Sequence, residues 1–192
     1  MPLRVMLVDT SSARGALLEQ ALLDGGYEVA ARVHDTKDIL RLIDSVQPDV
    51  IIIDMDSPDR DTLENLGFVT RHQPRPIVMF TDDDDPAKIQ TAVRAGVSAY
   101  IVDGLEKKRI KPIMDVAVAR FREFQALRDD LAKAHNTLAD RKLIDRAKGI
   151  LMQQKKVSEE EAYQLLRRAA MDGNEKLVDI ARKLVDVSKL LG

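Results

Sequence analysis

Five times within the first hundred residues a short apolar run is followed by a segment of helical periodicity, and no other feature constrains the fold as strongly. The runs are 3–8 (LRVMLV), 27–33 (YEVAARV), 49–53 (DVIII), 76–80 (PIVMF) and 98–102 (SAYIV). DVIII and PIVMF are apolar without alternation, the pattern of strands covered on both faces of a parallel sheet. Between the runs, residues 12–24 place Ala13, Ala16, Leu17 and Ala21 at helical spacing and close on Gly25 and Gly26. Thr36 is a candidate cap for a helix ending near Val46, a further helix is expected near 60–72, and Pro86 opens one that ends at Gly96. Strand–helix alternation of this kind implies an open α/β sheet with helices on both faces. Sites in such sheets form beyond the carboxyl ends of the strands. The residues there are Asp9, Asp54, Thr81 and Asp103.

After Gly104 the pattern changes. Residues 113–156 hold no Gly or Pro except Gly149, which predicts one long helix of roughly 60 Å at about 1.5 Å per residue. Pro112 either sits in its first turns or kinks it. Ala117, Phe124, Leu131 and Leu138 recur every seven residues, while the row begun by Phe121 turns polar at Arg128, His135 and Lys142. This thin seam predicts a short coiled coil between two copies of the chain; the alternative is a solvated connector helix. Ser158 and Glu161 form the capping box S-x-x-E of a next helix, which runs to Asp172 with Gly173 as its C-terminal cap. Asn174 is the candidate cap of a last helix with Leu177, Ile180, Ala181 and Leu184 on one face. Leu143, Ala147, Ile150, Leu151 and Gln154 are expected to face these two helices from the end of the long one. The expected division is 1–110, 111–140 for the linker helix, and 141–192.

Composition narrows the function. The chain has no cysteine, which excludes disulfide frameworks, thiol catalysis and cysteine zinc sites. No apolar run is long enough to span a membrane and MPLRVMLVD lacks a cleavage-type segment, so a cytoplasmic protein with no membrane partner is expected. Net charge is −2 but uneven: from Arg141 onward 12 Lys and Arg face 8 Asp and Glu, and before it 18 face 24. A cationic C-terminal end permits a polyanion partner. His34, His72 and His135 are scattered and no nucleophile–base arrangement appears, so the chain reads as a regulator with no required cofactor rather than an enzyme.

The strand-end residues resemble the receiver domains of response regulators, over residues 1–104 or a little more. Asp54 in IIIDMDSP stands at the phospho-accepting position and Asp9 in MLVDTSS at a metal-binding acid. Thr81 in VMFTD matches the hydroxyl residue that reads phosphorylation, and Tyr100 in SAYIV the aromatic switch position; Asp56 and Asp103 join them in the pocket. The resemblance implies a flavodoxin-like sheet of five parallel strands and a candidate Mg2+ site on Asp9 and Asp54. Two departures stand out. Thr10 replaces the second acid of the usual pair, and Asp103 replaces the lysine that contacts the acyl phosphate. Asp82, Asp83, Asp84 and Asp85 add negative charge nearby and read as a solvated loop. The expectation is a degenerate receiver for which phosphorylation of Asp54 is not the main input.

Residues 141–186 resemble the ANTAR domain, a three-helix module of transcription antitermination regulators. The match is carried by Ala147, Lys148, Gly149, Leu151 and Met152, then Ser158, Glu161, Ala162, Tyr163, Leu166 and Arg167, then Met171, Asn174, Leu177, Ile180 and Ala181. It implies binding to hairpins in leader mRNA, with RNA polymerase affected indirectly. RNA binding needs cations for phosphates and exposed groups for unpaired bases. Lys148, Lys155, Lys156, Arg167, Arg168 and Lys176 are the candidate cations, with Arg182 and Lys183 near them. Gly149 admits either a close RNA backbone or tight helix packing. Tyr163 is read as core packing in preference to a base-stacking ring, and Met152 and Met171 as core. The ANTAR end together with GVSAYIVDGL resembles the NasT-type regulators of nitrate and nitrite assimilation, which implies control by a nitrate-sensing partner protein that sequesters the regulator; the seam of the linker helix is what predicts a homodimer, at least in the active form. The alternative is a phosphorylation-activated regulator acting on DNA. It is disfavoured because Lys176, Arg182, Lys183 and Lys189 of the last helix are offset by Asp179 and Asp186.

Overall fold

The five apolar runs form strands β1 (Arg4–Asp9), β2 (Glu28–Val33), β3 (Val50–Asp54), β4 (Ile77–Thr81) and β5 (Ala99–Val102), paired in parallel in the order β2-β1-β3-β4-β5. This is the flavodoxin-like order. The computed structural model describes residues 2–10, 12–37, 39–103 and 106–191. Helices α1 (Ser12–Asp24), α2 (Ile39–Val46), α3 (Arg60–His72) and α4 (Pro86–Arg94) connect the strands, and α5 (Lys107–Lys155) follows β5. Two compact units result, Met1–Gln125 and Ala126–Gly192.

Side chains alternate along a strand, so every strand of the first unit feeds two cores. Val5, Leu7, Val50, Ile52, Val78 and Phe80 pack with Leu18 and Leu22 of α1 and with Ile110, Met114 and Ala117 of α5. Met6, Val8, Ile51, Ile53, Ile77 and Met79 pack with Ile39 and Ile43 of α2, Leu63, Leu66 and Val69 of α3, and Ala92 of α4. The inward face of α1 differs from the expected one. Leu18, Ala21 and Leu22 are buried while Ala16 is exposed and Leu17 is 68% exposed; the Ala13 side chain lies outside the described residues. Gly15 is buried on the same side of α1, one turn before Leu18.

Helix α5 begins at Lys107, earlier than expected, and Pro112 lies inside its second turn. It is the sixth residue, past the four N–H groups that lack intrahelical acceptors, so the helix forgoes one backbone hydrogen bond there, to the Lys108 carbonyl. Ala117 is fully buried in the first unit's core, so it does not belong to the exposed row. Phe124, Leu131 and Leu138 are 55%, 63% and 58% exposed, and Leu127 joins them at 60%.

The second unit packs the end of α5 against α6 (Glu159–Asp172) and α7 (Leu177–Leu191). Ala147, Leu151, Ala162, Leu166, Ala181 and Val185 form its core, flanked by Leu143, Ile144, Ile150, Leu177, Ile180 and Leu184. The capping box is present: the Ser158 backbone N–H donates to Glu161 Oε2 at 2.8 Å and the Glu161 N–H to Ser158 Oγ at 3.3 Å. Asn174 does not cap α7. It adopts φ 50° beyond Gly173, and the Glu175 N–H closes the end of α6 on the Ala170 carbonyl at 2.9 Å. The left-handed residue that ends this helix is therefore the asparagine, a residue type that tolerates it. The core assignments of Met152, Met171 and Tyr163 are also corrected, since these residues are 37%, 71% and 40% exposed, and Gln154 is exposed rather than on the inner face of α5. On α6 the buried row is Ala162, Leu166 and Ala170. Tyr163 and Met171 each follow a row member by one position, about 100° around the helix.

Candidate functional site

Strand order reverses between β1 and β3, and the crevice of such a sheet opens at that reversal, beyond the strands' carboxyl ends. Asp9 and Asp54 are the last residues of those strands and are direct partners in register. Their exposures are 0% and 1%. A buried carboxylate needs a charged or hydrogen-bonding partner, and each has an arginine. Arg14 Nη2 donates to Asp54 Oδ1 at 2.5 Å and Nε to Asp54 Oδ2 at 3.3 Å, so one guanidinium covers both oxygens. Its Nη1 reaches Asp82 Oδ2 at 2.8 Å and Asp56 Oδ1 at 3.3 Å. The hydrogen bond to Asp54 raises the Arg14 pKa further above its already high value. On the neighbouring strand, Arg32 Nη2 donates to Asp9 Oδ2 at 2.6 Å, and Nη1 pairs with Glu19 at 3.5 Å. Gly15 makes room for this pair: a Cβ there would fall on the Asp9 carboxylate and the Arg32 guanidinium.

The other expected pocket residues hold the loops. The Thr81 hydroxyl donates to the Asp56 carbonyl at 2.8 Å and accepts from the Asp83 N–H at 3.1 Å. The Tyr100 hydroxyl donates to the Asp83 carbonyl at 2.9 Å. The Asp83 carboxylate receives Lys88 Nζ and the Ser57 hydroxyl, both at 2.5 Å, and the Asp85 N–H at 3.0 Å. Lys88 first, then Ser57, hold its carboxyl down to about 2. Asp85 caps α4 by accepting from the Ala87 N–H at 2.9 Å. The 82–85 run is thus more than a solvated loop, because Asp82, Asp83 and Asp85 each bind a named group. Asp103 follows β5, is exposed, has φ 48°, and meets the group through its N–H to the Thr81 carbonyl at 3.3 Å.

A divalent cation does not fit these residues as they stand. Mg2+ demands near-octahedral oxygen coordination. Both Asp54 oxygens and Asp9 Oδ2 are already taken by guanidinium N–H groups. Thr10 contributes no charge; its hydroxyl lies 3.5 Å from the Asp54 carbonyl oxygen. Among the described residues no cluster of three or more His, Asp or Glu side chains is placed to hold a metal.

In the second unit the candidate cations divide into two groups. Lys148 pairs with Glu159 at 2.6 Å and Asp145 at 2.7 Å, Arg182 with Asp179 at 3.1 Å, and Lys183 with Glu175 at 2.6 Å. Lys155, Lys156, Arg167, Arg168 and Lys176 are exposed and carry no ion pair among the described residues. Lys156 ends α5 at φ 55°. Tyr163 precedes Arg167 by one turn on the exposed side of α6. A Cβ at Gly149 would meet no atom within 4 Å, so helix packing does not require this glycine.

Sequence reasoning missed Arg14 and Arg32. A signal existed for Arg32, a charge between Ala31 and Val33 near the end of the run YEVAARV, which needs a partner on a neighbouring element. Arg14 offered only its place one turn after a strand-end acid.

Comparison with known proteins agrees with this division. The response regulator receiver domain matches residues 5–115 and the ANTAR domain residues 132–185. The transcriptional regulatory protein PdtaR of Mycobacterium tuberculosis is 29% identical over 186 residues, covering 97% of this chain and 91% of that protein. The nitrate regulatory protein of Klebsiella oxytoca is 38% identical over 88 residues, 46% of this chain and 22% of that protein. The signal receiver domain of a modulated diguanylate cyclase from Desulfovibrio desulfuricans shares the fold, with TM-score 0.57 and 19% identity over 64% of this chain and 98% of that one. Among the described residues no helix is long and apolar enough to cross a membrane. With its receiver sheet followed by a three-helix ANTAR unit, the chain belongs to the response regulators, in the receiver–ANTAR arrangement.

Proposed function

We propose that the protein binds hairpins in leader mRNA through its ANTAR unit, favours antiterminated transcription, and is controlled by a partner protein rather than by phosphorylation of Asp54. The observation that carries the reading is a group of exposed cations on that unit with no ion pair among the described residues, Lys155, Lys156, Arg167, Arg168 and Lys176 among them. Phosphates exchange counterions for such groups. Tyr163, 40% exposed and one turn from Arg167, offers a ring on which an unpaired base can stack. Lys148 keeps α5 and α6 together through Asp145 and Glu159, so it contributes to RNA binding mainly by holding the surface in shape. RNA polymerase is affected through the transcript. The row Phe124, Leu131 and Leu138 supports a homodimer. Likeness to the nitrate regulatory protein supports nitrate or nitrite assimilation genes as targets and a nitrate-sensing partner.

The test is binding of the full chain to leader hairpins and to duplex DNA of equal length across a salt series. Hairpins should be preferred. Arg167→Glu should weaken binding to every hairpin and make log K fall less steeply with log salt, by about one unit of slope. A preference for duplex DNA would support a DNA-acting regulator instead. Unchanged hairpin affinity and slope in Arg167→Glu would remove the proposed surface.

A further inference from the structure

We propose that Arg14 occupies the seat of the divalent cation in the strand-end pocket, so that the pocket is complete without metal and takes Mg2+ only once Arg14 is removed. A cation at this place must neutralise a buried acid at the end of β3 and tie together the loops that follow β3 and β4. One guanidinium does both: it binds Asp54 through two N–H groups, at 2.5 and 3.3 Å, and reaches Asp56 and Asp82 at 3.3 and 2.8 Å. Arginine suits this better than lysine, because its planar fork meets both carboxylate oxygens at once. It is also tethered by α1 and, unlike Mg2+, need not shed a tightly held water shell.

Competition follows from the geometry. An incoming Mg2+ has to strip Arg14 from Asp54 and then stand beside a guanidinium that stays charged at every accessible pH, where like charges repel. Arg32 already draws on Asp9 Oδ2, so the second acid offers little compensation. Without Arg14, the Asp54, Asp56 and Asp82 carboxylates would stand together unneutralised at one crevice. That is an oxygen-rich, anionic place suited to a hard cation.

The experiment is calorimetric titration of the full chain with MgCl2, with thermal unfolding in MgCl2 against NaCl of equal ionic strength. The wild type should give no saturable heat and the same unfolding midpoint in both salts. Arg14→Ala should bind Mg2+ saturably, at least about tenfold tighter than the wild type, since each charge-assisted contact that Mg2+ must displace is worth roughly a factor of ten or more. The gain should vanish in Arg14→Ala/Asp54→Asn. Folding of Arg14→Ala only on addition of Mg2+ would also support the proposal, because ligand binding to the native state stabilises it. If that variant folds under neither condition, Arg14→Lys decides, since it keeps a charge and gives up the two-pronged contact; it should gain a smaller but saturable affinity. Saturable Mg2+ binding by the wild type that Asp54→Asn abolishes overturns the proposal. So does a folded Arg14→Ala, or in its place Arg14→Lys, with no gain.

Discussion

Replacing Gly149 with alanine separates folding from binding at one atom. Gly149 lies within α5, and positive φ among the described glycines occurs at Gly26 and Gly96, so the Gly149 backbone is open to any residue. A Cβ there meets nothing within 4 Å. Glycine inside a helix costs roughly 0.5–1 kcal/mol relative to alanine, chiefly through the backbone freedom it loses on folding. With neither strain nor collision to offset that gain, Gly149→Ala should stabilise the helical unit by about 0.5–1 kcal/mol. For a unit of this size about 1 kcal/mol moves Tm by roughly 4–8 °C, which gives an expected rise of about 2–8 °C. The same methyl group intrudes where a phosphate backbone is proposed to approach, so hairpin affinity should fall while stability rises. Far-UV circular dichroism melts and hairpin titrations on one preparation measure both. A lower Tm would refute the packing argument, and a higher Tm with unchanged hairpin affinity would take Gly149 off the RNA surface.

Acid should loosen the β4–α4 loop. The Asp83 carboxyl is held down to about 2, below its ordinary 3.8, by Lys88 first and then by Ser57 and the Asp85 N–H. A depressed carboxylate contributes its full stability above the unfolded value and loses it as pH falls through the folded one. The contribution is therefore complete above about 4 and gone near about 2, and Asp83→Asn should flatten this part of the acid limb in denaturant midpoints; an unaltered limb would refute it. Along α5, Leu131→Asp should shift the free protein toward monomer in sedimentation. A wild type that sediments as a monomer even with RNA bound would remove the proposed seam.

How far each feature could be read from the sequence depends on how local its cause is. The parallel sheet was legible because runs such as DVIII and PIVMF are apolar without alternation, which only burial on both faces explains. The Ser158–Glu161 box was legible because both partners lie within four consecutive residues. The face of α1 was misread by one position, because the apolar residues of 12–24 fit helical spacing on more than one face, and Gly15 on the buried one has no side chain for periodicity to detect; what it makes room for is an Asp9–Arg32 pair on two other elements. Asn174 was misassigned because the polar residues that start helices also tolerate the left-handed backbone that ends them. The acids of the pocket were visible at strand ends, but their counter-ions were not. Arg32 reaches Asp9 across the β1–β2 register, and Arg14 reaches Asp54 across 40 residues of chain. This difference changes the chemistry inferred. Read from the acids alone, a cluster around Asp9 and Asp54 calls for a metal. With Arg14 and Arg32 in place its buried carboxylates are already neutralised, and nothing in their pairing needs a phosphoryl group to complete it. If, as proposed, the input does not act at Asp54, it has to act on a surface, and for that reason the proposal assigns control of this receiver to a bound partner.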